Sequence, residues 1–233
     1  MISIIIPTYN EAENIVRVIT HLKKVGSDAV IDIIVSDGGS EDDTIDKAKA
    51  VGAQAVLSPQ KGRAAQMNYA ASLARGDILY FVHADSFPPA GFADDIEQAI
   101  NDGYDLGRYR TRFDSPKTVL KLNAWATRFD LFLCMGGDQT LFIRRQLFVV
   151  CGGFNEDMKI MEDYEFCERV RKRGRYKIMP GRALISARKY DTNSWLKVQM
   201  TNAKVVRMYK RGASQQDMLD TYKQLLSYRK NAF

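Results

Sequence analysis

Histidine and cysteine are scarce in this chain: two and three residues among 233. The cysteines, at 134, 151 and 167, are odd in number and lack CxxC spacing. That argues against a disulfide framework or a thiolate metal site, and suggests reduced, mostly packed thiols in a cytoplasmic protein. No apolar run approaches the ~20 residues of a membrane span. Met1 leads directly into Ile2-Ser3-Ile4-Ile5-Ile6 and Pro7, with no basic leader, so no secretory signal is expected. Repeats, low-complexity tracts and long linkers are missing too. Neither GxGxxG nor GxxxxGK[ST] follows the first apolar run, where PTYNEAEN stands. That excludes a Rossmann dinucleotide domain and a P-loop. An Asp-x-Asp-x-Thr nucleophile is also lacking there, which sets aside a haloacid-dehalogenase-type phosphatase.

What is present is a globular composition, 45% hydrophobic and 27% charged, enough for a sizeable core. At this length one large domain, alone or with a helical appendage, is expected. The net charge of +6 hides a split. Residues 1–143 carry 14 Lys and Arg against 19 Asp and Glu, a balance of −5; residues 144–233 carry 20 against 9, a balance of +11. A basic half suits an anionic partner, a phosphorylated substrate or a membrane surface; a solvated lysine-rich face is the alternative. Nucleic acid is not expected, because exposed aromatics are not interleaved with the cations and no such motif is present.

The first hundred residues alternate strand and helix. Residues 2–6 form a β-branched run suited to a strand buried on both faces. Asn10 and Glu13 have the spacing of a capping box, ahead of Ile15, Val18, Ile19 and Leu22 at helical spacing. A second apolar run, Ile31 to Val35, breaks at SDGGS; a helix and a short strand, 53-AQAVL-57, follow. The stretch 61–76 is alanine-rich and helical, with Gly76 as its C′ residue. Asp77 opens the strand of 80-YFVHAD-85. Strands alternating with helices at this length imply a wound, mostly parallel sheet. Further on come strand-like 138-DQTLFIRR-145, a helix from about Glu162 to Arg173, a strand near 175–188, and helices near 194–210 and 214–230. The first of these last two has Leu196, Met200, Ala203, Val206 and Tyr209 on one stripe, with lysines and arginines elsewhere. It either lies on an anionic membrane or packs that stripe on its own domain.

Ligands of open α/β sheets bind outside the carboxyl ends of the strands, and PTYNE, SDGGS and HAD all sit at such ends. His83 and Asp85, two residues apart, point to the same side of their strand's end; a turn whose Asp accepts backbone N–H bonds is the alternative.

In order, 6-IPTYNEAENI-15, 37-DGGSEDDT-44, 62-GRAAQMN-68, 80-YFVHADS-86, 152-GGFNED-157 and 162-EDYEFCERVRKRG-174 resemble the family 2 glycosyltransferases of the GT-A fold. The resemblance covers roughly residues 2–175. KGRAAQMN, HAD and 137-GDQTLFIRR-145 are similar to a bacterial subgroup found near radical-SAM and selenium-type proteins. It implies a mixed, mostly parallel α/β sheet flanked by helices. The GT-A domain would span 1–190, with nucleotide-binding (about 1–115) and acceptor (about 116–190) parts, and 191–233 would be a helical extension packed on the same domain.

The same resemblance implies site roles. Asp85 stands where the family's strand-end Asp binds a divalent metal, Mn²⁺ or Mg²⁺, bridging the nucleotide diphosphate. His83 replaces the preceding Asp, and is a metal ligand, a donor to phosphate or a wall of the sugar pocket. Pro7, Thr8, Tyr9, Glu11 and Asp37 are implicated in holding the donor base and ribose. Lys61 and Arg63, flanking Gly62 at a helix N-terminus, suit phosphate, and Arg188 is a candidate diphosphate clamp. Asp163 is the general base toward the acceptor hydroxyl, with Glu162 orienting the helix start or an acceptor group. Asp138 and Gln139 are candidates for the acceptor pocket, and Asn68 is read as structural.

The function so implied is inverting transfer of a sugar, metal-assisted, from a nucleotide-diphosphate sugar, with UDP favoured. The acceptor would be a small molecule or a lipid, with contact at the inner membrane face as a further expectation. A sugar nucleotidyltransferase and an inactive nucleotide-binding scaffold of the same fold are the alternatives.

Overall fold

A computed structural model describes residues 1–130 and 139–227. The β-branched run at the start forms β1 (Ile2–Thr8), every residue of it buried. Such a strand, apolar on both faces, has to lie inside a sheet covered on both sides. Strands β2 (Val30–Asp37) and β4 (Ile78–Phe81) flank it, both parallel to it, and β3 (Gln54–Leu57) extends the sheet beyond β2. The other side adds β7 (Leu141–Arg144), antiparallel to β4, then β6 (Leu106–Asp114), β8 (Tyr176–Ser186) and the short β5 (Ser86–Phe87). Among the described residues these make one sheet in the order β3-β2-β1-β4-β7-β6-β8-β5.

Strand alternation sorts the core into two layers. Ile2, Ile4, Ile6, Tyr80 and Val82 face one layer, where helices α1 (Ile15–Val25) and α4 (Phe92–Asn101) present Val18, Leu22, Phe92 and Ile96. Ile5, Leu79 and Phe81 face the other, covered by Met67 and Ala70 of α3 (Arg63–Leu73) and by a cluster of Phe148, Phe154 and Phe166. Phe154 and Phe166 lie 4.2 Å apart, centroid to centroid. The short helices α2 (Thr44–Ala50), α5 (Thr118–Ala126) and α6 (Arg145–Val150) complete the wound part, and α7 (Glu162–Val170) follows. The chain then runs through α8 (Trp195–Lys210) and α9 (Gln215–Leu225). Val205, Val206 and Met218 of these two pack on Ile160 and Met161.

Three local expectations are corrected. Asn10 does not cap α1: it takes a left-handed backbone, φ 53°, and its Oδ1 accepts from the Glu41 N–H at 2.9 Å, joining two loops. The helix starts later, at Ile15. Gly76 lies past the end of α3, which stops at Leu73; a Cβ there would come within 2.7 Å of the Ser3 nitrogen, so close passage against β1 explains the glycine. The α8 stripe is also different. It is split: Val206 is buried with Val198, Thr201 and Val205, and Tyr209 packs beside them, whereas Leu196 and Met200 face outward.

Candidate functional site

The loops after β1, β2 and β4 converge as expected for strand ends of an α/β sheet, and a cavity of about 1310 Å³ opens there. Internal bonds fix the loops. Asp37, the last residue of β2, is fully buried. Its Oδ1 accepts from the Gly39 and Ser40 N–H groups at 2.9 and 2.7 Å, and its Oδ2 from the Thr8 and Ser40 hydroxyls at 3.0 and 2.5 Å. Four donors saturate this carboxylate. The structure therefore does not bring Asp37 to the cavity wall; its neighbour Gly38 is there instead. Gln66, buried on α3, donates to the carbonyls of Thr8 at 2.7 Å and Ser36 at 2.8 Å, tying β1 to β2 beneath the site. Asn68 secures the far rim: it donates to the Phe154 carbonyl and accepts from the Phe154 N–H, both at 2.9 Å.

Pro7, Thr8, Tyr9 and Glu11 reach the cavity from β1, and His83 and Asp85 from the end of β4. Arg188 arrives from just beyond β8. Its Nη2 donates to Asp85 Oδ2 at 2.7 Å and to Glu11 Oε1 at 3.3 Å. One guanidinium thus spans two carboxylates from different strands. Burial works against its charge, but the hydrogen bond to Asp85 and the charges of Asp85 and Glu11 outweigh that and hold its pKa above the ordinary arginine value.

At the same cavity, α3 begins just after Gly62, whose φ of 121° favours glycine. Lys61 and Arg63 flank it and line the wall. Arg63 is hydrogen-bonded through Nε to Glu162 Oε1, and its Nη2 lies 3.9 Å from Asp163 Oδ2. The two neighbouring carboxylates are sorted by this bridge. Glu162 is buried and absent from the cavity wall, with Oε2 making no hydrogen bond among the described residues. Asp163 lines the cavity, as does Gln139. Asp138 lies outside the described residues.

Among the described residues no three His, Cys, Asp or Glu side chains are gathered into a metal cage. A divalent cation with oxygen preference needs only one or two protein carboxylates when phosphate oxygens complete its shell. Asp85, a carboxylate on the cavity wall with His83 two residues away, fits that shared kind of site. The lining also includes residues to which the sequence assigned no individual role, among them Tyr164, Tyr190, Asn123 and Gln199. Gln66 lies within the quoted GRAAQMN stretch, yet its part in tying two strand ends could be seen only in three dimensions.

The mixed, mainly parallel sheet flanked by helices, with the cavity at strand carboxyl ends, has the GT-A fold. The family model described as "Glycosyl transferase family 2" matches residues 3–154, more than half of the chain, and the chain belongs to that family. It is similar to glucosyl-3-phosphoglycerate synthase of Mycolicibacterium paratuberculosis, 37% identical over 98 residues, 38% of this chain and 29% of that one. An uncharacterized glycosyltransferase, RP128, of Rickettsia prowazekii is 34% identical over 96 residues, 41% of this chain and 32% of the relative. The matches span about a third of these relatives' own length. Among solved structures, the mannosyltransferase PcManGT of Pyrobaculum calidifontis in complex with GDP-Man and Mn²⁺ superposes with a TM-score of 0.67 at 18% identity, covering 96% of this chain and 69% of that one. Glucosyl-3-phosphoglycerate synthase of Mycobacterium tuberculosis in complex with Mn²⁺, UDP and glucosyl-3-phosphoglycerate superposes at 0.60 and 19%, covering 91% and 80%. S. aureus TarS 1–349 in complex with UDP-GlcNAc does so at 0.65 and 16%, covering 96% and 71%. At these identities the likeness is one of fold. Among the described residues no helix is long and apolar enough to cross a membrane.

Proposed function

We propose that this chain is an inverting glycosyltransferase that moves a sugar from a nucleotide-diphosphate sugar, a UDP-sugar in the first instance, to an acceptor hydroxyl. The observation that carries this reading is the meeting, at one cavity, of the Glu11–Arg188–Asp85 cluster and the Arg63–Asp163 pair. The arginines and Lys61 suit a diphosphate, and Asp163 is a carboxylate at the same cavity able to take a proton. The solved neighbours described with UDP-GlcNAc and with UDP and Mn²⁺ support the uridine donor. KGRAAQMN, HAD and GDQTLFIRR support membership of the subgroup associated with radical-SAM and selenium-type proteins.

In this reading Tyr9 stacks on the base, and Pro7 and Thr8 shape the floor beneath it. The α3 N-terminus, with Lys61 and Arg63, binds phosphate oxygens through its first-turn N–H groups and positive charge. Asp85, with His83, would hold a divalent cation, and an imidazole donor tilts the choice toward Mn²⁺. That cation supplies Lewis-acid neutralisation of the departing diphosphate. Arg188 adds a second positive charge to the same wall.

Asp163 accepts the proton of the acceptor hydroxyl as that oxygen attacks the anomeric carbon from the face opposite the diphosphate. A single displacement of this kind inverts the anomeric centre and needs no second nucleophilic carboxylate. Glu162 acts through Arg63, which it holds beside Asp163, and Gln139 contributes to the acceptor wall. Asp163→Asn tests the assignment. Transfer should fall by about 10²–10⁴-fold while UDP binding stays within about twofold of wild type; parallel loss of both would overturn it.

A further inference from the structure

Most of the exposed large apolar side chains lie on two helices. Val119, Leu122, Trp125 and Phe129, on and just after α5, and Leu196 and Met200 on α8 are six of the ten such residues among those described. Their exposure is not marginal: Leu122 is 59% exposed, Trp125 49%, Leu196 61% and Met200 64%. On α5 they recur every three or four residues, which puts them on one face. On α8 the same outward stripe continues from Leu196 and Met200 into Lys204, Arg207 and Arg211, all exposed. The helices meet where Trp195 Nε1 donates to Asn123 Oδ1 at 3.0 Å.

Charge identifies the occupant. Residues 118–129 and 195–211 contain seven Lys and Arg and no Asp or Glu. Asp191, on the connection before α8, lies 3.9 Å from the Lys117 ammonium. A second copy of this chain would bring the same seven cations against themselves. An anionic lipid surface answers both features: apolar side chains enter the acyl boundary while lysine and arginine remain among the headgroups.

We propose that the outward faces of α5 and α8 dock on an anionic bilayer. Both helices also wall the cavity, through Asn123 and Ala126 on one and Gln199 and Asn202 on the other. A docked chain therefore keeps the side of its cavity that these two helices wall next to the membrane. If the glycosyl-transfer reading holds, the acceptor it favours is membrane-borne; the docking itself does not depend on that reading.

The test is co-sedimentation of the full chain with vesicles of phosphatidylcholine, alone or with phosphatidylglycerol, at low and high salt. Binding should require the anionic lipid and weaken with salt, since surface attraction is screened within about a Debye length, ~10 Å at 0.1 M. Lys204→Ala and Arg207→Ala should each weaken partitioning about fivefold. Vesicles with brominated acyl chains should quench the emission of wild type, and Trp125→Phe should remove most of that quenching. Circular dichroism and UDP binding of these variants should match wild type, which excludes misfolding as the cause. Equal binding to neutral vesicles, no binding at low salt, or a stable dimer that protects Trp125 from a soluble quencher would each overturn the proposal. Loss of UDP binding in wild type would count against the transfer reading and leave docking standing.

Discussion

Arg188 and Asp85, 103 residues apart in the chain, are joined by an Nη2–Oδ2 hydrogen bond of 2.7 Å. The arginine follows the end of β8 and the aspartate the end of β4, so the contact closes one wall of the cavity. Glu11 shares the guanidinium at 3.3 Å. Without that cation two carboxylates would face each other at the place assigned to a diphosphate.

Arg188→Ala is expected to weaken UDP binding about ten- to hundredfold, the loss of charge-assisted hydrogen bonds worth about 1.5–3 kcal/mol. Arg188→Lys should recover only part, because an ammonium cannot span two carboxylates as a planar fork does. Calorimetric titration of each variant with UDP in the presence of Mn²⁺ checks this. Unchanged affinity in Arg188→Ala would remove the residue from the donor wall.

Gln66→Leu keeps the volume but removes both donors to Thr8 and Ser36. The Thr8 carbonyl would keep only the Gly38 N–H at 2.9 Å and the Ser36 carbonyl would lose its side-chain donor; each lost hydrogen bond costs about 0.5–1.5 kcal/mol. The urea midpoint should fall with an unchanged slope, and UDP affinity should fall with it, because Gly38 packs on this side chain. A stable variant with intact binding would show that β1 and β2 hold their loops unaided.

Cys167 lies one turn beyond Asp163 on α7. Burial, reinforced by the Asp163 charge, pushes its thiol up to about 12. An unfolded thiol ionises near 8.5. Between these values the folded chain retains a proton that the unfolded chain releases, so this contribution to stability is complete below about 8.5 and declines as pH rises. In a Cys134→Ser, Cys151→Ser chain at pH about 8.5, iodoacetamide should modify Cys167 only after urea is added. Rapid modification of the folded chain would contradict its burial.

Much of this architecture was legible because local pattern and tertiary demand agree. The β-branched run of β1 reads as doubly buried, and it is. PTYNE and HAD mark strand ends, and Pro7, Tyr9, Glu11, His83 and Asp85 do meet at one cavity. Less was readable where one residue type serves two environments. The resemblance assigns Glu162 and Asp163 different roles, but no local pattern shows which is buried; the bond from Arg63, 99 residues away, goes to buried Glu162, while Asp163 lines the cavity. Asp37 has a ligand-binding carboxylate's composition and context, but four internal donors occupy it. On α8 apolar residues occur on more than one side, and periodicity favoured the stripe through Leu196 and Met200. Packing on Ile160 and Met161 kept Val206 and Tyr209 of that stripe, added Val205, and left Leu196 and Met200 outside. Such choices depend on partners distant in sequence.

The most direct test of the account is calorimetric titration of UDP into wild type and Asp85→Asn, each with Mn²⁺ and with a chelator. Wild type should bind UDP tightly only with metal, and Asp85→Asn should lose that metal dependence while retaining weak binding through Tyr9, Lys61 and Arg188. Metal-independent binding of equal strength in both proteins would contradict a shared metal–diphosphate site at Asp85.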